Sequence, residues 1–542
     1  MKLCVFGPPG CGKTEFDLRL IEDQLSKGVS LEEVSYVTLM KSAAIDGARR
    51  FGITGERYRN LWFRTLHSTA FRVLDLKRES VVDSKWLKEF SMKNYFMLSM
   101  RDPDSEDDIE IMMRLYGNVE KKRLEIDDIY YGMYNLSRLM SDTVEKLDAV
   151  KVQPFAAVLD MYLYGNNHCY IPKEYESFVS RYEAAKESDG KVDFIDMLAN
   201  VVREGIVGPW KVAVVDEGQD ISPLGHAAMN TLYRDCKLFV LSGDSDQALM
   251  RFAGASADGF LNWSQDAVKL TLLETHRFGQ KLVDYAAKIS RRIRRSYPKD
   301  IIGLEGRNNE IRHLYDVDYK KMTPGDLALH RHVSGCNEIT ERLIMEGVPV
   351  WNERGINPLS RTKEINAFLT WNAMRRSEPV TSQDLQALAG EVTTFYSDEE
   401  KKYRLLAKNA KKEIKSLPYG KPILPTDLQK YFTEEFLSAM KMNRLGVTSI
   451  QNAPYYSKLA EAGFNFHDPN TPVVKVTTIH GSKGRQAKNV WIYSETYPKC
   501  LENDLDQDES RIAYVAATRA EEGLNIIHDR FNDWSDQYNY PA

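Results

Sequence analysis

A phosphate-binding loop near the head of the chain restricts its fold more than any other stretch. Lys2 to Phe6 (KLCVF) reads as a short buried strand. Gly7-Pro8-Pro9-Gly10-Cys11-Gly12-Lys13-Thr14 follows at once, and a helical pattern runs on through Leu20. The spacing G-x-x-x-x-G-K-T between a strand and a helix is that of a P-loop. Its glycines let successive backbone N–H groups turn inward on a phosphate, and the helix N-terminus adds its dipole to the same anion site. Lys13 is placed to reach the β- and γ-phosphates and Thr14 to ligate Mg²⁺. The motif by itself says nucleotide and nothing about what the nucleotide drives.

With 542 residues the chain is too long for one core, and roughly three or four structural units are expected. It is 43% hydrophobic and 28% charged, as soluble globular proteins are, and its net charge of −5 neither demands nor excludes nucleic acid. Cys4, Cys11, Cys169, Cys236, Cys336 and Cys500 form no C-x-x-C pair, which argues against a zinc ribbon or an iron–sulfur cluster. They read as reduced thiols of an intracellular protein, with Cys11 open to alkylation inside the P-loop. No signal peptide and no membrane-length apolar run is present, so the expected location is the cytoplasm, or a host's cytoplasm for a phage enzyme.

The α/β pattern continues. Val34 to Thr38 reads as a strand running into a helix start at Lys41, and Leu61 to Ser68 as another strand with polar residues at its end. Ligands of open parallel sheets sit at such C-terminal strand ends, which marks Thr38, Lys41, Thr65, His67 and Ser68 as candidates. From about Asp75 to Gly190 the chain turns helical and aromatic, an inserted helical domain that closes on a helix capped by Asp193. The sheet resumes with Lys211 to Val215, which ends in Asp216-Glu217-Gly218-Gln219-Asp220. There Asp216 is placed to hold Mg²⁺ and Glu217 to act as general base on the attacking water. Leu238 to Ser242 is one more strand, ending in Gly243-Asp244-Ser245-Asp246-Gln247. A second nucleotide-like half then runs from Leu270, through Glu274-Thr275-His276-Arg277 and the strand Asp326–Arg331, to Val473–Thr478 and Val490–Tyr493. A second helical insertion lies between about Asn357 and Thr471. Within it Leu428, Tyr431, Phe432, Leu437 and Met440 read as a buried helical stripe, and Lys401 to Lys415 as a basic helix with a solvated face.

Together these blocks resemble the superfamily 1A helicases of the UvrD/Rep/PcrA type, in order and over nearly the whole chain. Asp216-Glu217-Gly218-Gln219-Asp220 is similar to that family's D-E-x-Q-D, and Gly243-Asp244-Ser245-Asp246-Gln247 to its G-D-x-D-Q. Thr478-Ile479-His480-Gly481-Ser482-Lys483-Gly484 is similar to T-x-H-x-x-K-G, and the run Arg511 to Ala520 to R-x-x-Y-V-x-x-T-R-A. The resemblance implies two RecA-like domains, each a parallel sheet flanked by helices and each with a mainly helical insertion. Residues 1–75 and 191–264 would form the first, with 76–190 inserted; residues 265–357 and 472–542 would form the second, with 358–471 inserted. It implies ATP and Mg²⁺ between the domains. Gly7, Pro8, Pro9, Gly10, Cys11, Gly12, Lys13, Thr14, His276, Arg277, Gly484, Gln486 and Arg519 would bind ATP, and Gln247 would sense the γ-phosphate. Arg277 and Arg519 would neutralise the transferring phosphoryl group. Single-stranded DNA would lie over Thr38, Lys41, Thr65, His67, Phe252, Thr478 and His480, with Phe252 as the stacking aromatic.

The chain also departs from the family. Its first strand starts at Lys2, which leaves no room for the upstream glutamine motif that reads adenine, and His276 replaces a tyrosine. Looser discrimination among NTPs is therefore expected. Ala253 stands for the family's arginine, with Arg251 the candidate substitute. Gln486 stands for a ribose-binding glutamate and Leu39 for a phenylalanine. After His528 little chain remains for a strand-separating hairpin, which leaves Phe531 or Trp534 as a small wedge. The implied activity is an ATP-dependent 3′–5′ DNA helicase, a monomer acting on single-stranded DNA and on junctions beside replication or repair proteins. The alternatives are a translocase that displaces proteins with little unwinding and, from another class, an ATP-switched DNA clamp.

Overall fold

The computed structural model describes the chain except for residues 99–125, 157, 159–172, 251–253, 392–393, 397–401, 405, 408–409, 442–449, 496–507 and 529–542. Contacts divide it into two compact units. Among the described residues the first falls within Met1–Glu310 and Tyr497–Thr518, and the second within Ile311–Thr496 and Arg519–Asp536.

The first unit is built on a six-stranded sheet of β1 (Lys2–Phe6), β2 (Val34–Thr38), β3 (Trp62–Thr65), β4 (Val212–Val215), β5 (Leu238–Gly243) and β6 (Val268–Thr271). The spatial order is β3-β2-β4-β5-β1-β6, and every neighbouring pair is parallel. Strands covered on both faces lose the polar–apolar alternation, which is why β4 reads VAVV and every one of its residues is buried. Val5, Leu18, Tyr36, Phe63 and Val214 lie in one face's core, and Phe6, Ala213, Leu241 and Phe260 in the other.

The helices Ser84–Asn94, Ile126–Leu139 and Lys173–Asp189 form their own aromatic core of Trp86, Phe90, Tyr134, Phe178 and Tyr182. Stacked and edge-on rings account for its packing; Phe178 and Tyr182 stack at 6.3 Å. This core is fastened to the helix Phe194–Glu204 by a buried ion cluster. Asp193 caps that helix in a capping box with Asp196. The same two carboxylates meet Arg138 and Lys186 at 2.6–3.0 Å.

The second unit holds another six-stranded sheet, of β7 (Glu310–Leu314), β8 (Leu327–His330), β9 (Val350–Asn352), β14 (Val474–Thr478), β15 (Ala487–Tyr493) and β16 (Ala520–Ile527). Its order is β7-β16-β15-β8-β14-β9, with parallel pairing from β16 through to β9. Two short ladders lie between β9 and β14 in sequence: β10 (Val380–Thr381) with β13 (Pro422–Ile423), and β11 (Thr394–Tyr396) with β12 (Lys402–Arg404).

The ladders correct the expected basic helix over 401–415. Lys402–Arg404 is a strand paired antiparallel with Thr394–Tyr396, and among the described residues of that run the helix is Ala410–Ser416. Pairing with the strand just before it overrode the helical propensity of a lysine-rich run. The stripe from Leu428 to Met440 likewise divides. Leu428, Tyr431 and Phe432 are buried, but they belong to and follow a 3₁₀ turn at Pro425–Lys430, and the helix starts at Glu434. No helix among the described residues is long and apolar enough to cross a membrane.

Candidate functional site

The P-loop connects β1 to the helix Lys13–Ser26. Gly12 precedes that helix in the left-handed region (φ 78°), and Gly10 adopts φ 77° with a neighbour pressed against it. A Cβ on Gly10 would lie 2.6 Å from Arg277 Cβ and 2.8 Å from Thr275 Oγ1, so only glycine fits there. Thr275 Oγ1 donates to the Pro9 carbonyl at 2.8 Å, and the His276 N–H donates to the Gly10 carbonyl at 2.9 Å. The P-loop and the segment that carries Arg277 are thus braced against each other. The Arg277 guanidinium donates to the Thr518 carbonyl at 2.9 Å.

Thr14 and Asp216 come together from distant parts of the sequence, with Thr14 Oγ1 donating to Asp216 Oδ2 at 2.7 Å. Asp216 follows β4, which lies two strands from β1 in the sheet. A hydroxyl and a carboxylate side by side at the mouth of a P-loop are hard oxygen ligands, the kind Mg²⁺ takes, so the residues present fit that ion. Lys13 Nζ rests on the Gly7 carbonyl at 2.9 Å. Burial works against its charge, but Cys11, Glu217, Asp244 and Asp216 around it raise its pKa above the ordinary lysine value. The Asp216 carboxyl is pushed up to about 6, by burial first and by the charge of Glu217 second.

Glu217 is one of the few non-glycine residues in the left-handed region, with φ 59°. Backbone strain of about 1–3 kcal/mol at such a position persists only where the surroundings impose it. Its carboxylate receives a short hydrogen bond from Gln219 Nε2. The other end of that amide, Gln219 Oε1, accepts the Asp244 N–H at 2.9 Å. Asp244 Oδ2 in turn accepts Gln247 Nε2 at 2.8 Å. Glu217 and Gln247 are thereby ends of one hydrogen-bonded chain running through two residues to which no role fell in the sequence.

Two buried ionisable side chains near this chain carry no motif in the sequence. Asp17 is fully buried in the P-loop helix and accepts from Ser242 Oγ at 2.6 Å; burial first, then Asp216, raises its pKa well above the ordinary carboxyl value. A lone aspartate four residues after the P-loop lysine, on the helix's apolar face, was the only available signal. The other is Lys299, which meets both Asp244 and Asp246. The Cys11 thiol, expected to be open to alkylation, is buried, and burial pushes its pKa up, so it is held as the unreactive thiol.

The candidate nucleic-acid residues of this unit gather at the C-terminal ends of β2 and β3. Thr38 and Thr65 are register partners across the two strands. Thr38 is buried, with its hydroxyl on the Met40 carbonyl, and Thr65 caps the next helix by accepting the Ser68 N–H. His67 is half-buried with its ring edge-on to Phe194, and Lys41 is exposed at the start of its helix. Thr38, Thr65, His67, Phe194, Met250 and Asp216 line one largely apolar hollow, which brings these strand ends beside Asp216. Phe252, Arg251 and Ala253, and the wedge candidates Phe531 and Trp534, lie outside the described residues.

In the second unit, Arg519 is buried and donates to the Arg485 carbonyl at 3.3 Å, while its own carbonyl accepts the Ala487 N–H. It is therefore next to Gln486, which is exposed, as is Gly484. Thr478 ends β14 and accepts the Gly481 N–H, and the His480 pKa is pressed well below the ordinary value by desolvation and by Arg331 and Arg354.

Two family models match these sheets and loops. The UvrD/REP helicase N-terminal domain matches residues 1–268 and the UvrD-like helicase C-terminal domain residues 245–530. The chain belongs to the UvrD/Rep helicase family. Among curated relatives, it is 23% identical over 334 residues to the ATP-dependent DNA helicase PcrA of Staphylococcus epidermidis, covering 60% of this chain and 42% of that protein. It is 22% identical over 409 residues to the ATP-dependent DNA helicase UvrD1 of Mycobacterium tuberculosis, covering 68% and 50%. The chain therefore spans half or less of the length of these UvrD-type relatives. A solved arterivirus helicase, nonstructural protein 10, aligns with 99% of the chain and 62% of its own length at 12% identity and a TM-score of 0.33, too low for any argument.

Proposed function

We propose that this chain is an ATP-dependent DNA helicase that moves 3′ to 5′ on single-stranded DNA and separates duplex, with Mg²⁺-ATP hydrolysed between its two RecA-like domains. The observation that supports this best is the Thr14–Asp216 contact at 2.7 Å, with Lys13 and Glu217 beside it, in a chain of the UvrD/Rep family.

In this reading the P-loop N–H groups and Lys13 hold the β- and γ-phosphates, and Thr14 and Asp216 hold Mg²⁺. When bound, the ion neutralises phosphate charge. Glu217, oriented by Gln219, takes the proton of the attacking water. Gln247 reads the γ-phosphate, while Arg277 and Arg519 stabilise charge on the transferring group. His276, Gly484 and Gln486 contact the rest of the nucleotide. DNA runs over Thr38, Lys41, Thr65 and His67, stacks on Phe252, and continues over Thr478 and His480.

The test measures ATP turnover with and without single-stranded DNA, then unwinding of duplexes with 3′ or 5′ tails. Single-stranded DNA is expected to stimulate turnover, and only the 3′ tail to support unwinding. Glu217→Gln should lower kcat by about 10²–10⁴-fold while ATP still binds, and Lys13→Ala should abolish turnover. Phe252→Ala should weaken DNA stimulation more than basal hydrolysis. Turnover indifferent to DNA refutes the helicase reading, and unwinding from a 5′ tail alone refutes the direction. Stimulation without unwinding of either duplex identifies a translocase that displaces proteins.

A further inference from the structure

The loop Gly243–Gln247 carries two aspartates, Asp244 and Asp246, on either side of Ser245, both almost wholly inaccessible, and their charge is answered by a lysine outside every motif. Lys299 Nζ forms a short ion pair with Asp244 Oδ1 and a second with Asp246 Oδ2 at 3.2 Å. Its side chain is 5% exposed and lies under the ring of Tyr514, 5.8 Å from the centroid. Burial alone would strip its charge, but Asp244 and Asp246 raise its pKa above the ordinary value.

Around this lysine the loop is held at several further points. Ser290 Oγ donates to Asp246 Oδ2 at 2.6 Å, the Tyr297 N–H donates to Ser245 Oγ at 3.2 Å, and Arg511 Nε donates to the Ser245 carbonyl at 3.2 Å. Lys299 is the cation paired with Asp244, whose Oδ1 also accepts the Asp246 N–H at 3.2 Å, whose Oδ2 accepts Gln247 Nε2 and whose N–H donates to Gln219 Oε1.

We propose that Lys299 is a positioning residue for ATP hydrolysis: by anchoring Asp244 it sets the amide of Gln247 through the Asp244 carboxylate, and Gln219 with the Glu217 carboxylate beyond it through the place of the Asp244 N–H. The proposal rests on the reading of Glu217 and Gln247 given above. The mechanism follows from how the Asp244 oxygens are shared. Oδ1 faces the ammonium and Oδ2 faces Gln247 Nε2, so the lysine selects the one carboxylate rotation that leaves an acceptor for the glutamine. Without the ammonium, two neighbouring carboxylates out of water cannot both stay charged. Asp244 then binds a proton or turns, which unsettles the Gln247 amide directly, and a shift of the unanchored loop moves the Asp244 N–H that holds Gln219 against Glu217.

The experiment compares wild type, Glu217→Gln, Lys299→Met, Lys299→Arg and Lys299→Met/Asp246→Asn in the full chain, with melting curves, kcat and KM for ATP, and binding of a non-hydrolysable ATP analogue. The double variant restores the net charge of the buried group but leaves Asp244 without its cation. Both Met variants are expected to lose about 10–100-fold in kcat, the usual cost of removing a supporting partner, with KM and analogue binding little changed. Lys299→Arg should recover most of the kcat. A wild-type kcat in the double variant overturns the proposal, because charge balance alone would then suffice. A folded Lys299→Met with normal kcat overturns it, as does failure of all three lysine variants to fold, which would make the residue structural. Wild type without ATP turnover, or an unimpaired Glu217→Gln, instead sinks the hydrolysis reading on which the proposal stands.

Discussion

Replacing Arg138 with methionine tests how the helical insertion is held to the first sheet. Arg138 is 3% exposed. Its guanidinium donates to Asp193 Oδ2, Asp196 Oδ1 and Asn135 Oδ1, each at 2.7 Å, and to Asp193 Oδ1 at 3.2 Å. Lys186 binds the same carboxylates at 3.0 and 2.6 Å and Glu183 at 2.8 Å. Three carboxylates thus share two cations, and the substitution leaves them one. Removing one partner of a buried pair costs about 3–5 kcal/mol. Because Lys186 remains, the expected loss is near the lower end, about 3 kcal/mol.

The loss has a defined pH dependence. Burial would raise the Asp193 carboxyl, but Arg138 and Lys186 hold it well below the usual carboxylate range. A depressed folded pKa contributes stability above the unfolded pKa of about 3.9, and that stability is lost as the pH falls through the folded pKa. The deficit of Arg138→Met should therefore be largest above about pH 5 and narrow toward about pH 3. Hydrogen exchange of the helices Ile126–Leu139 and Phe194–Glu204, with urea unfolding at both pH values, measures it. Adding Asp193→Asn should recover part of the loss, since the two residues are in direct contact. A deficit under about 1 kcal/mol, or one that does not change with pH, refutes the argument.

Two other perturbations follow from the same geometry. Gly10→Ala places a methyl against Arg277 and Thr275 at a backbone φ of 77°; at about 1–3 kcal/mol of strain it should weaken ATP binding by roughly tenfold or more, read as KM and analogue affinity in a protein whose melting temperature changes little. His226 is buried, and burial lowers its pKa from 6.5 to about 4. The folded state therefore prefers the neutral ring, so stability is intact above the unfolded pKa and falls as the pH drops from about 6.5 to about 4. The total is on the order of 3 kcal/mol. His226→Leu should remove that slope in urea titrations across this range, and an unchanged slope would show that the ring is not the acid-sensitive group.

The strand–loop–helix of the P-loop and the acidic strand ends were legible in sequence because they are matters of local backbone. Strand, glycine turn and helix N-terminus lie within the first 26 residues, and the runs ending in Asp216 and Gln247 are strand ends by their own composition. The capping role of Asp193 could be read for the same reason. Local pattern failed where pairing decided the outcome. Lys402–Arg404 became a strand because it pairs antiparallel with the preceding Thr394–Tyr396, a choice that lysine-rich composition does not signal. Val268–Thr271 lies beside β1 and completes the first sheet, although each of its residues stands 265 positions beyond its register partner, Val268 against Leu3 and Thr271 against Phe6.

Buried charge was the least legible property. Lys299, Arg138, Lys186 and Asp17 look in sequence like ordinary surface residues, and ionisable side chains are rarely buried unless paired. Only the packed structure shows that each has its counter-charge or hydroxyl opposite it. Read along the chain, local pattern was enough to place a P-loop, carboxylates at two strand ends and arginines in order. The tertiary structure decided which atoms meet, such as Thr14 and Asp216 across 202 residues, and which charges stand behind them. The physical reason is that motif geometry is set by φ, ψ and neighbours along the chain, whereas the energy of a buried charge is set by what folding brings opposite it.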